Sequence, residues 1–172
     1  MRTSRLHRAG IFVATTALAT GLLTVTGVGT ASAEPSIQAQ LAKVRAATAA
    51  FHSISAAEHK GGYIKFLDCF DDPDQGGMGQ HWLLPGALGR PLDPTSPAAL
   101  VYEPEADGSY QLVAVEYVVP GSPDMTPPHL LGKDFTYLPS LGVWKLHAWI
   151  WRPNPVDMFN DYNPNANMCP TT

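Results

Sequence analysis

Two cysteines among 172 residues exclude a disulfide-dense scaffold, and their distant positions give no C-x-x-C pair for thiol redox chemistry. Other signatures are missing too. No G-x-S-x-G elbow presents a nucleophilic serine, and no H-E-x-x-H or H-x-H spacing marks a metalloprotease. Glu116 has no second acid in a similar setting, so the paired carboxylates of glycoside hydrolysis are not available. Basic residues are scarce, 11 Lys+Arg against 15 Asp+Glu. That balance argues against nucleic acid or an anionic membrane surface as partner, because both select for basic patches.

The long apolar run that does occur sits at the start. Arg2, Arg5 and Arg8 precede residues 11–28, and Ala31-Ser32-Ala33 leads into Glu34-Pro35. This is the layout of a secretory signal peptide cleaved after Ala33. Thr15, Thr16, Gly21, Thr24, Thr26 and Gly27 dilute the run too far for a comfortable membrane span. The expected product is a secreted, extracellular protein, residues 34–172, free of the membrane after cleavage and of single-domain size. Its formal charge is more negative than the −4 of the whole chain, since the three leader arginines are lost. In an exported chain Cys69 and Cys169 are expected to form one disulfide.

Residues 37–59 carry Ile37, Leu41, Val44, Ala47 and Phe51 at helical spacing, and Gly61-Gly62 supplies a stop. Beyond Tyr63 prolines and glycines separate short β-rich runs, at 63–66, 81–84, 99–103, 111–119 and 144–151. Residues 68–79 read as an acidic loop, 120–139 as a proline-rich connection, and Ala106-Asp107-Gly108-Ser109 as a hairpin turn. The expected fold is α+β, an N-terminal helix packed on an antiparallel β-sheet or small β-barrel.

Alternation along 111–119 places Leu112, Ala114, Glu116 and Val118 on one face and Val113, Val115, Tyr117 and Val119 on the other. Both faces are apolar, so the strand should be central and Glu116 should point among aliphatic side chains. An ionised carboxylate left alone there costs several kcal/mol, so it needs a proton, a cation or a metal. On 144–151, Lys145, His147, Trp149 and Trp151 share a face. His81 follows the turn Gly76-Gly77-Met78-Gly79-Gln80, and His52 lies near the end of the helix. His81, Glu116 and His147, with His52, suit a divalent transition metal such as copper, zinc, iron or manganese, or a small polar ligand. The competing reading is a structural cluster in which Glu116 pairs with Lys145, Arg152 or a histidine. His59 and His129 read as exposed.

Two acidic stretches, Asp72-Pro73-Asp74-Gln75-Gly76 and Asp157, Asn160, Asp161 and Asn163, have the composition of calcium loops. The first lacks the closing glutamate, with Leu83 in its place. Both are expected to be turns. Trp82, Trp144, Trp149 and Trp151 suggest a non-catalytic alternative, an extracellular carbohydrate-, peptide- or protein-binding module, although core packing suits most of them better.

The segments G-x-M-G-x-H at 76–81, Leu112-Val113-Ala114-Val115-Glu116-Tyr117 and Leu146-His147-Ala148-Trp149-Ile150-Trp151-Arg152-Pro153-Asn154-Pro155 resemble a family of small exported bacterial proteins, mostly from actinomycetes. The resemblance extends from about Ala47 to Cys169. It departs at Asp157, where a glycine is usual, and at Tyr162, where a tryptophan is usual. The family has no established activity, so the resemblance implies no function. It does place His81, Glu116 and His147 within the most distinctive segments, which implies a shared site.

Overall fold

The computed structural model describes residues 35–170; the expected signal peptide lies outside them. The helical region is two α-helices rather than one. Helix α1, Ile37–Thr48, starts where the Ser36 hydroxyl accepts from the Ala39 amide. A 3₁₀ turn, Ala49–His52, ends it, and Ser53 caps α2, Ile54–His59, by accepting from the Ala56 amide. The expected stripe is shifted accordingly. Leu41, Val44 and Thr48 are buried, whereas Ile37 and Ala47 are exposed. Thr48 tolerates burial because its hydroxyl donates back to the Val44 carbonyl.

Six strands form one antiparallel sheet: β1 Ile64–Asp72, β2 Gly76–Leu83, β3 Ala99–Pro104, β4 Tyr110–Pro120, β7 Thr136–Leu138 and β8 Val143–Ala148. Their order is β1-β2-β3-β4-β8-β7, so β3 and β4 are central and the sheet is open rather than a closed barrel. A separate hairpin, β5 His129–Leu130 with β6 Lys133–Asp134, occupies part of the proline-rich connection. No helix among the described residues is long and apolar enough to cross a membrane.

Three expectations need correction. Residues 68–79 are mostly strand: β1 and β2 continue through them, and only residues 73–75 turn. The loop-like composition reflects an exposed edge strand with two register shifts and Leu67 at φ 57°. The strand expected over 144–151 ends at Ala148, and Trp151 turns away so that its indole N–H donates to the Thr48 hydroxyl. Finally, a bulge at Val113 resets β4: Tyr102 faces Leu112, but Val101 faces Ala114. Leu112 therefore joins Val115 and Tyr117 in the main core, while Val113 and Ala114 pack with Val101, Trp149 and Ala166 on the opposite face.

The main core also contains Leu41, Val44, Trp82, Leu100, Tyr102 and Leu146. The C-terminal tail is held against β2. Asn163 bridges to Gly77, its N–H donating to the Gly77 carbonyl. The glycines there are a packing necessity: a Cβ on Gly76 would lie 2.2 Å from the Asn163 carbonyl oxygen, and one on Gly77 equally near that of Asn167. Gly77→Ala is expected to dislodge the tail, seen as faster amide exchange at Asn163 and Ala166. Cys69 and Cys169 form the expected disulfide.

Candidate functional site

Four adjacent strands build the site on the face opposite the main core. Glu116 on β4 sits directly opposite His147 on β8. His81 lies two strands away on β2, with β3 between. His81 is in register with Val101 and Glu116 with Ala99, two residues away on β3, so the imidazole and the carboxylate meet diagonally across that strand. His81 Nε2 lies 3.5 Å from Glu116 Oε2. The His81 and His147 ring centroids are 6.3 Å apart, and one ligand atom from each of the three residues falls within 4.8 Å of the others. The fold thus gathers three of the four residues proposed as ligands from the sequence. His52 is not among them: it is exposed on the 3₁₀ turn, its ring 4.5 Å from that of Trp151.

Neither cation considered for Glu116 pairs with it. Lys145 is paired with Asp161, and Arg152 with Glu103. Three ring nitrogens also lack partners among the described residues: both Nδ1 and Nε2 of His147, which is 1% exposed, and Nδ1 of His81. A neutral imidazole carries one donor and one acceptor, and each buried group left unsatisfied costs about 1–3 kcal/mol.

Burial is the main reason both imidazoles are harder to protonate than usual. For His147 the charges of His81 and Lys145 act in the same direction, and its value falls well below the ordinary one. For His81 the carboxylate of Glu116 partly offsets burial, while Lys145 adds to it. Because the unfolded chain binds these protons more readily, stability is full above the ordinary histidine value and is lost as pH falls through it. Each histidine then removes up to about 1.4 kcal/mol per pH unit. Thermal unfolding of the metal-free protein from pH 7.5 to 5 should show this loss, with a shallower slope in His147→Gln.

Above the cluster lies an open trough of about 630 Å³. Phe66, Leu67 and Phe70 come from edge strand β1, and Leu138 and Val143 from β7 and β8 at the other edge. Its polar residues are His81, Glu116, Ser140, Lys145, Asp161 and Tyr162. Sequence reasoning missed this trough because exposed β1 has no inside–outside alternation to read. It also missed Gln80, whose side-chain amide donates to the carbonyls of Phe66 and Leu67 and so secures the irregular part of β1.

The tryptophans do not line this trough. Each indole N–H has an acceptor: Glu58 for Trp82, the Ser122 carbonyl for Trp144, the Asn160 carbonyl for Trp149 and Thr48 for Trp151. The acidic stretches serve as turns, with Asp72 accepting from the Asp74 and Gln75 amides and Asp157 from the Phe159 amide. His59 and His129 are exposed as expected. Compared with protein-family models, curated proteins and solved structures, the chain matches none.

Proposed function

We propose that this is an exported protein, cleaved after Ala33, that binds one divalent transition metal through His81, Glu116 and His147. The unpartnered ring nitrogens of two buried histidines beside a carboxylate carry this reading. A purely structural cluster would satisfy those atoms, whereas a metal needs a nitrogen lone pair from each ring. Two imidazoles and a carboxylate are a donor set suited to zinc, iron, manganese or copper. Ligand atoms around a tetrahedral zinc lie roughly 3.3–3.5 Å apart, so side-chain rotation must draw the three together. Every indole N–H is already engaged within the fold, which weighs against the aromatic binding-module alternative, and the resemblance to small exported bacterial proteins is consistent with export.

Zinc is the simplest probe, because it has no preferred geometry of its own. At 100 times its dissociation constant it should stabilise the fold by about 2.7 kcal/mol, which raises Tm by roughly 5–10 °C. His147→Gln and Glu116→Gln should each abolish the rise. A zinc-induced shift that persists in both variants would move the site elsewhere.

A further inference from the structure

We propose that the trough receives the apolar tail of an amphipathic carboxylate whose head group reaches the metal; the head-group assignment rests on the metal reading above. The walls and the polar groups together define this class of ligand. Phe66, Leu67, Phe70, Leu88 and Leu141 are all large apolar side chains left at least one-third exposed, and all line the same trough. Its volume is that of a small-molecule site, and its combination of apolar walls with a few polar groups is the usual one.

A wholly polar ligand would leave the apolar walls in water, while a wholly apolar one would cover Glu116 and the Lys145–Asp161 pair without replacing the water it displaces from them. One molecule with both characters satisfies both regions. The charge at the base favours an anionic head. Glu116 and Asp161 are countered by Lys145 alone, and a divalent cation makes the local sum positive. A carboxylate ligates such a cation and accepts from an ammonium group.

The test is calorimetric titration of the protein with zinc alone, then of the zinc-loaded protein with decanoate, octanoate, hexanoate and acetate. Affinity should fall about two- to four-fold for each methylene removed. Leu88→Ser and Leu141→Ser alter exposed side chains that belong to neither hydrophobic cluster. Each should weaken decanoate at least five-fold and leave zinc binding unchanged.

If zinc binds but decanoate and acetate bind alike, or the two variants behave as wild type, the tail assignment is overturned and the metal reading survives. If zinc does not bind, the metal reading fails and the carboxylate-head assignment fails with it. A zinc-binding dimer that becomes monomeric in Leu141→Glu and takes up no decanoate would also overturn the proposal, since a second copy would then fill the trough.

Discussion

Glu103→Ala should destabilise the protein by about 3–5 kcal/mol, the cost expected when one partner of a buried ion pair is removed. The Glu103 side chain is fully buried on β3. One carboxylate oxygen accepts from Arg152 Nη1 at 2.5 Å and the other from the Asn167 amide at 3.1 Å. Arg152 also donates to the Asn165 carbonyl, so a single carboxylate organises both the segment after β8 and the tail. Burial pushes the Glu103 carboxyl up; the Asn167 amide and then the Arg152 charge oppose that shift without cancelling it. The pair is therefore not a large net stabiliser as it stands. Its removal is costly because Arg152 is left partly buried, with its Nε already unpartnered, and because the tail loses its anchor. Glu103→Gln keeps the shape and an acceptor and should lose less, about 1–3 kcal/mol. Urea unfolding of the two variants checks the ranking; equal losses would mean that the charge alone, not the shape or the acceptor that glutamine keeps, holds the tail.

Opening the disulfide should have a comparable effect by a different route. Cys69 and Cys169 are 100 residues apart, and the chain-entropy argument assigns such a loop about 4–5 kcal/mol. In the folded protein the tail has other attachments. The Cys169 amide donates to Asp71, Asn163 bridges to Gly77, and the Asn167 side chain donates to the Pro104 carbonyl. The native structure should therefore survive in Cys69→Ser/Cys169→Ser, and the loss should come mainly from a freer unfolded chain. Denaturant unfolding distinguishes these routes. The double variant should show a lower midpoint together with a larger m-value, since the unlinked chain exposes more surface. A lower midpoint with unchanged m would place the loss in the folded state instead.

These two effects also show which parts of the fold were legible in the sequence. Two cysteines leave a single intramolecular pairing, so the disulfide could be read directly once export was expected. The face occupied by Glu116 could be read because the bulge at Val113 precedes it, and alternation is regular from Ala114 onward. Leu112, on the far side of that bulge, was assigned to the wrong face for the same reason. The distortion depends on pairing with β3, which a single strand's pattern does not record. His81 and His147 were recognisable as polar residues in apolar runs. The neighbours of Glu116 were not: Lys145 bonds Asp161 and Arg152 bonds Glu103, choices set by how the tail folds back. His52 was misplaced because the helix breaks at Ser53, a capping residue that also fits within a helical run.

We propose that His81, Glu116 and His147 hold a metal ion. Elemental analysis of protein purified without an affinity tag or chelator tests it most directly. One equivalent of copper, zinc, iron or manganese should accompany the wild-type protein and be absent from His147→Ala. A protein that carries no metal, and takes up none on titration, would rule the metal site out and leave the three side chains as a polar core.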